Sequence, residues 1–111
     1  MGRAPLTSVR MQLVGQSGAT LEVGVRTEFG KYLARRFGGD AEYLDERQFV
    51  LERAADGRWR VVPAGATANE TLLNGEVLAT AQPLADGDVL AVGRKAKGVS
   101  KLPLTVRAFG S

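Results

Sequence analysis

The sequence predicts an all-β protein, an antiparallel β-sandwich, on three observations. Apolar and polar residues alternate in several short stretches, which is the period of a half-buried strand. Turn signals such as Ala55-Asp56-Gly57 and Asn74-Gly75 separate those stretches. Helical periodicity is nearly absent, because the one stretch that could form a helix, Phe29 to Phe37, has no N-cap and is closed by Gly38-Gly39. Short strands without intervening helices favour two packed antiparallel sheets.

The first two strands are predicted to form a hairpin. Each has apolar residues at every second position, with polar residues between them. The turn is Gly15-Gln16-Ser17-Gly18. The alternating apolar positions are Val9, Met11 and Leu13 in the first strand and Leu21, Val23 and Val25 in the second.

The middle strands surround the turn at Asp56-Gly57. Phe49 and Leu51 alternate with their neighbours before it, and Trp59 and Val61 share one face of the strand after it. Pro63 ends that strand because proline has no N–H to donate to a sheet. The small residues 64–68 are predicted to form a loop.

The last strands follow the turn Asn74-Gly75, a pair that tolerates the positive φ of a type I′ turn and strongly indicates a hairpin. That hairpin is predicted from residues 71–73 and 76–79, followed by strands at 89–92 and 102–108 and by a solvated loop at 95–101 between them. The predicted core is Leu13, Leu21, Val23, Phe49, Leu51, Trp59, Val61, Leu73, Val89 and Val106.

Length and composition indicate one domain and exclude several functions. The 111 residues suit a single domain at 9–109, with flexible ends at 1–8 and 110–111. The sequence has no cysteine and no histidine, which removes disulfides, cysteine nucleophiles and the commonest general base and metal ligand. No phosphate-binding glycine-rich motif or nucleophile elbow is present. We therefore expect no enzyme, catalytic residue, cofactor, metal or small-molecule substrate.

The charge and the absence of apolar runs bear on partners and location. The net charge of +3 comes from scattered basic residues with few aromatic residues between them, so a nucleic-acid surface is not favoured. No apolar run approaches the roughly 18 residues of a membrane span. The first residues also lack the apolar core of a secretory signal. We expect a cytoplasmic protein with no membrane contact.

Two motifs resemble a known family. Asn69-Glu-Thr-Leu-Leu-Asn-Gly75 and Leu84-Ala-Asp-Gly-Asp-Val-Leu-Ala-Val-Gly93 resemble the C-terminal half of the forkhead-associated (FHA) domain, a β-sandwich of FHA/SMAD-like type that binds phosphothreonine peptides. In that family Asn-Gly-Thr-Phe-x-Asn-Gly precedes Leu-x-Asp-Gly-Asp-x-Ile-x-x-Gly. The resemblance extends upstream through Phe29-Gly30-Lys31 and covers roughly Val9 to Phe109.

The resemblance implies a binding site in the loops at one end of the sandwich. In the family an arginine after the glycine and the serine of a Ser-x-x-His motif bind phosphate. The histidine braces the serine loop, and the first asparagine holds the peptide backbone. Here lysine replaces the arginine, aspartate the serine and glutamine the histidine. The resemblance thus gives six candidate ligand-binding residues: Lys31, Asp45, Arg47, Gln48, Asn69 and Thr71.

These substitutions bear on the function of the predicted site, for which three hypotheses are open. Lys31 supplies a point charge where arginine supplies a two-pronged donor, and the Asp45 carboxylate repels phosphate. The leading hypothesis is a protein-interaction module with a degenerate phosphothreonine pocket and largely phospho-independent partner binding. The first alternative is a genuine phosphothreonine-peptide reader that uses Lys31, Arg47, Asn69 and Thr71. The second, from another class, is a basic nucleic-acid-binding β module. The expected partner is another protein, phosphorylated on threonine in the first alternative.

Overall fold

Two antiparallel sheets are stacked on one core, as a computed structural model that describes residues 10–109 shows. The six-stranded sheet has the order β2-β1-β10-β9-β6-β7 and the four-stranded sheet the order β3-β4-β5-β8. The predicted all-β sandwich is therefore confirmed. The strands are β1 Arg10–Gly15, β2 Thr20–Val23, β3 Arg26–Phe29, β4 Phe49–Arg53, β5 Trp59–Pro63, β6 Glu70–Leu73, β7 Glu76–Val77, β8 Gln82–Pro83, β9 Val89–Arg94 and β10 Val99–Phe109.

The chain ends belong to the part of the sequence that the structure leaves undescribed. The flexible segments predicted at 1–8 and 110–111 and the first alternating residue, Val9, lie outside the described residues. The domain boundaries at 9 and 109 stay predictions. None of the helices within residues 10–109 is long and apolar enough to cross a membrane.

The core between the sheets contains most of the residues that alternation predicts for it. Trp59, Phe29 and Phe49 are its largest fully buried side chains. Leu21 and Val89 were predicted in the core but are only half-buried. Val89 faces outward because side chains alternate along a strand and Leu90 and Val92 are the residues of β9 that join the core.

Two local predictions were wrong. Val25 is 67% exposed, because β2 ends at Val23 and Val25 lies in the short connection to β3. The loop predicted at 95–101 is shorter, since a 3₁₀ turn at Lys95–Lys97 leads directly into β10 at Val99.

A helical insertion between β3 and β4 is the main departure from the predicted all-strand pattern. It consists of one α-helical turn, α1 at Lys31–Ala34, and two 3₁₀ turns at Arg35–Phe37 and Gly39–Tyr43. The N-cap residue of α1 is Gly30, which has no side chain to accept a capping hydrogen bond, in keeping with the missing cap signal in the sequence. Ala34 and Phe37 are buried and attach the insertion to the core. The Phe37 ring lies 6.2 Å from the ring of Phe29.

The two FHA-like motifs meet at the Asn-Gly turn. Asn74 and Gly75 have φ values of 52° and 85°, as the predicted turn requires. The Asn74 side chain also donates a hydrogen bond of 3.0 Å to the Asp88 carboxylate and accepts one of 2.9 Å from the Val89 N–H. Asn74 therefore forms the hairpin turn and also holds the start of β9 against it.

Candidate functional site

An open cleft of about 620 Å³ lies where three chain segments meet at one end of the sandwich. The start of α1 follows the end of β3, residues 44–48 precede β4, and residues 64–69 join β5 to β6. The first two segments are the two ends of the β3–β4 connection, and the third is the β5–β6 connection. Antiparallel strands alternate in direction, so all three segments fall at the same end of the sandwich. The charged and amide side chains that line the cleft are Lys31, Glu42, Asp45, Glu46, Arg47 and Asn69.

Gly30 allows two of these segments to approach each other closely. A Cβ atom at this position would lie 1.8 Å from the carbonyl oxygen of Glu46, a contact that no side chain permits. The Lys31 N–H donates a hydrogen bond of 2.9 Å to the Asp45 carbonyl, and the Gln48 N–H donates one of 2.8 Å to the Phe29 carbonyl. The glycine before Lys31 thus lets the start of α1 lie directly beside residues 44–48.

Gln48 braces the cleft from behind. Its side chain is completely buried, and its amide oxygen accepts a hydrogen bond of 3.0 Å from the Asp45 N–H. The amide nitrogen donates to the Asn69 carbonyl at 2.9 Å and to the Thr71 hydroxyl at 3.0 Å. One uncharged side chain therefore joins the segment before β4 to the segment that enters β6. Gln48 and Thr71 form this support and do not line the cleft.

Asp45 and Asn69 close the gap between the two loops. The two carboxylate oxygens of Asp45 lie 3.4 and 3.3 Å from the Ala68 N–H, which donates to them. The Asn69 amide donates a hydrogen bond of 2.9 Å to the Tyr43 carbonyl. Each side chain thus contacts the backbone of the other loop. The carboxylate of Asp45 lies in front of the Ala68 N–H, on the lining of the cleft.

Arg94 contributes a support that the sequence analysis missed. Its guanidinium donates a hydrogen bond of 2.8 Å to the Ala68 carbonyl. Ala68 is therefore held on one side by Asp45 and on the other by Arg94 at the end of β9. No local pattern marks Arg94, because its partner lies 26 residues away along the chain.

The two cations of the cleft have different surroundings. The ammonium of Lys31 forms no ion pair with any residue in the span 10–109. The guanidinium of Arg47 lies 3.6 Å from the carboxylate of Glu28. Glu28 also accepts a hydrogen bond from Arg26, which together with the nearby charge of Arg47 lowers the pKa of its carboxyl group. Arg47 thus lines the cleft while its charge is shared with Glu28 of β3.

The lining carries more carboxylates than cations. Lys31 and Arg47 are opposed by the carboxylates of Glu42, Asp45 and Glu46. Counted as formal charges, two positive and three negative groups leave the cleft with one net negative charge. Such a cleft does not attract an anionic ligand by charge alone.

The structure brings four of the six candidate residues to one surface. Lys31, Asp45, Arg47 and Asn69 line the cleft. The sequence analysis did not select Tyr43 as a cleft residue. Its ring is 44% exposed at the cleft edge and has the ammonium of Lys101 at 5.7 Å from its centroid.

The two stacked antiparallel sheets and the cleft built by their connecting loops define the chain as a β-sandwich domain. No family profile and no curated protein sequence matches this chain. Solved FHA domains do match it in structure. The FHA domain of an Arabidopsis thaliana hypothetical protein gives a TM-score of 0.72 at 21% identity, over 100% of this chain and 95% of that one.

Two further FHA domains were solved with a bound partner. The N-terminal FHA domain of an S. cerevisiae protein, in complex with a phosphothreonine peptide, gives a TM-score of 0.69 at 19% identity over 91% of this chain and 94% of that one. The FhaA FHA domain, complexed with the intracellular domain of Rv3910, gives a TM-score of 0.65 at 19% identity over 87% of this chain and 99% of that one. The chain therefore has the fold of an FHA domain.

Proposed function

We propose that this chain is a protein-interaction module of FHA type whose cleft binds a partner protein with little dependence on phosphothreonine. The fold supports the general role, since FHA domains of the same fold were solved with a phosphothreonine peptide and with an intracellular domain of another protein. The observation that carries the phosphate-independent part is the position of the Asp45 carboxylate in the cleft, beside the Ala68 N–H.

Asp45 acts on a phosphate ligand in two ways. A carboxylate has no hydroxyl to donate, and the loss of one hydrogen bond to a charged group costs about 1.5–3 kcal/mol. Its negative charge also repels a phosphate placed ~4 Å away by roughly 1–4 kcal/mol per unit charge, depending on the local dielectric constant.

The remaining groups do not compensate for Asp45. Lys31 offers one point charge, and Arg47 is shared with Glu28. A micromolar peptide site has a binding free energy of about 8 kcal/mol. The losses at Asp45 are large enough to weaken such a site to millimolar affinity or below. Phosphate therefore adds little to the affinity of a peptide in this cleft.

The cleft keeps groups that hold a peptide without phosphate. The Asn69 side chain has two N–H donors and one acceptor, and a single donor is engaged with the Tyr43 carbonyl within the described residues. The second N–H and the amide oxygen are free to bond a partner's backbone. The buried side chain of Gln48 and the exposed side chain of Arg94 hold the loops that present Asn69. Little conformational entropy of these loops is therefore lost when a partner binds.

The alternative of a true phosphothreonine reader rests on one observation, the unpaired ammonium of Lys31. In that case Lys31 and Arg47 bind the phosphate and Asn69 holds the peptide. The nucleic-acid alternative has less support. Arg26 and Arg60 on the outer face of the four-stranded sheet lie against Glu28 and Glu52, so this group of basic residues is largely neutralised.

A peptide-display selection tests whether the cleft binds proteins. The domain is used to select from a library of unphosphorylated peptides, and selected peptides are measured against wild type, Asn69→Ala and the matched surface change Gln16→Ala. We expect Asn69→Ala to abolish most of the binding and Gln16→Ala to leave it unchanged, with both variants folded by circular dichroism. Selected peptides that bind Asn69→Ala as tightly as wild type would contradict a role for the cleft.

A further inference from the structure

A second concave surface adjoins the cleft on the side of the helical insertion. It has a volume of about 500 Å³ and is lined by Lys31, Tyr32, Arg35 and Glu46. We call these four residues the Tyr32 surface. Lys31 and Glu46 line both this surface and the cleft, so one extended partner segment can contact both without a gap.

Tyr32 is the most exposed large hydrophobic side chain among the described residues, at 83%. The guanidinium of Arg35 lies 5.7 Å from the centroid of its ring. Tyrosine and arginine, together with tryptophan, are enriched among the residues that dominate binding energy at protein interfaces, because each combines a large apolar area with a polar group. An aromatic ring and a cation held together in this way form a contact surface of the kind that partners bury.

The surface rests on an anchored base. Ala34 and Phe37, from the same short helical insertion, are buried in the core. Arg36 is directed elsewhere, since its guanidinium donates to the Thr20 carbonyl at 3.4 Å. Tyr32 and Arg35 are thus presented by a fixed piece of backbone, while the third nearby cation is bonded to β2.

The charge of this surface is opposite to that of the cleft. The segment from Lys31 to Phe37 carries three cations and no carboxylate. Lys31 and Arg35 have no ion pair within residues 10–109 and face the single carboxylate of Glu46. The Tyr32 surface therefore has one net positive charge, whereas the cleft beside it has one net negative charge.

We propose that the Tyr32 surface is a second docking site for the partner protein and binds an acidic segment that also carries an aromatic side chain. The guanidinium of Arg35 and the ammonium of Lys31 pair with the partner's carboxylates, and the aromatic side chain packs on the exposed ring of Tyr32. The proposal rests on the proposed function, because the segment continues from a peptide bound in the cleft.

The test uses a short synthetic peptide, Gly-Glu-Glu-Phe-Glu-Glu-Gly, and two matched peptides with lysine in place of glutamate or serine in place of phenylalanine. Each is titrated into the ¹⁵N-labelled domain and followed by amide chemical shifts. We expect the acidic aromatic peptide to shift the amides of Tyr32 and Arg35 and the other two to shift them much less. Equal shifts with the lysine peptide, or no shifts at these residues, would overturn the proposal.

Variants locate the contact and separate it from the cleft. Arg35→Glu and Tyr32→Ser are each expected to weaken the binding of the acidic peptide by about tenfold, because each removes one good polar or aromatic contact. Arg58→Glu, the same charge change in the turn between β4 and β5, is the control. Asn69→Ala should leave this peptide's affinity unchanged. If Asn69→Ala weakens it and Arg35→Glu does not, the peptide binds the cleft and the Tyr32 surface is not a separate site. If the display selection yields no peptide that binds the cleft but the acidic peptide binds here, the proposed function fails, and the Tyr32 surface remains a site for an acidic aromatic segment without the continuation into the cleft.

Discussion

The side-chain nitrogen of Gln48 lies 2.9 Å from the carbonyl oxygen of Asn69, and this contact joins the two loops that form the cleft. The same buried amide also bonds the Thr71 hydroxyl and accepts the Asp45 N–H. The FHA resemblance assigns the bracing of this loop to a histidine. Here an uncharged amide makes contacts of that kind, since one amide offers both a donor and an acceptor.

Replacing the amide of Gln48 should destabilise the fold. In Gln48→Leu, the Asp45 N–H loses its partner and is left unsatisfied, which costs about 1–3 kcal/mol. The Asn69 carbonyl and the Thr71 hydroxyl each lose one hydrogen bond, worth about 0.5–1.5 kcal/mol, but keep the Thr67 hydroxyl and the Gln48 carbonyl as partners. We expect a loss of about 3 kcal/mol in the free energy of unfolding, measured with urea. Gln16→Leu, at an exposed position, is the control and should change it by less than about 0.5 kcal/mol. Equal small effects would mean that the Gln48 bonds contribute nothing net.

Replacing Gln48 with histidine should make stability depend on pH. One ring nitrogen must stay unprotonated to accept the Asp45 N–H, and burial also disfavours the imidazolium, so the folded-state pKa lies below the unfolded value of about 6.5. The unfolded chain then binds more protons as pH falls, and stability is lost below about pH 6.5. Urea midpoints of Gln48→His and wild type at pH 5 and pH 8 measure this. A fall of equal size in wild type, which has no histidine, would contradict this assignment of the effect.

The turn at Asn74-Gly75 should matter for stability and not for binding. Gly75 has φ 85°, so Gly75→Val places a β-branched residue in the left-handed region and should cost about 1–2 kcal/mol. Gly75→Asn is the matched control, because asparagine tolerates that region and should cost less. Thermal unfolding and the affinity of a display-selected peptide, measured well below the melting temperature, test both parts. Lost affinity with unchanged stability would place this hairpin in the contact surface.

Removing the carboxylate of Asp45 should restore phosphate binding. The double variant Asp45→Ser with Lys31→Arg supplies a hydroxyl donor and a bidentate guanidinium donor. It also removes the repulsion between the Asp45 carboxylate and the phosphate. We expect a gain of roughly 2–5 kcal/mol toward a phosphothreonine peptide, from the Coulomb and hydrogen-bond terms together. Isothermal titration calorimetry against a panel of phosphothreonine peptides and their unphosphorylated forms measures the gain. Gln48 needs no change in this variant, because it already braces the loop. No gain across the panel would mean that Asp45 does not limit phosphate affinity.

The strands could be predicted where a single face is buried. In β5, Trp59 and Val61 are buried while Arg60 is exposed, so alternation fixes the orientation. In β9 alternation does not fix the orientation. Leu90, Ala91 and Val92 are consecutive apolar residues and all are buried, so the sequence does not show which of them face the core between the sheets. The sequence analysis put Val89 in the core, where the structure has Leu90 and Val92 instead. The helical insertion escaped prediction because its α-helical part is one turn long and is held by the burial of Ala34 and Phe37, a tertiary effect.

The residues of the site were predicted from the motif, but the role of each residue became visible only in the three-dimensional structure. The motif identified Asn69 and Thr71 equally, but only Asn69 reaches the cleft, since Thr71 points inward to Gln48. Arg94 and the exposed ring of Tyr32 carry no motif. Their importance follows from a contact to Ala68 in one case and from a neighbouring cation in the other.

The phosphate dependence of binding tests the central claim most directly. Isothermal titration calorimetry compares the unmodified domain with a display-selected peptide that contains threonine and with the same peptide phosphorylated on that threonine, with Asn69→Ala as the cleft control. We predict dissociation constants for the two peptides that agree within about threefold, a difference below about 1 kcal/mol, and much weaker binding of both to Asn69→Ala. Micromolar binding of the phosphorylated peptide, with no detectable binding of the unphosphorylated one, would contradict the account.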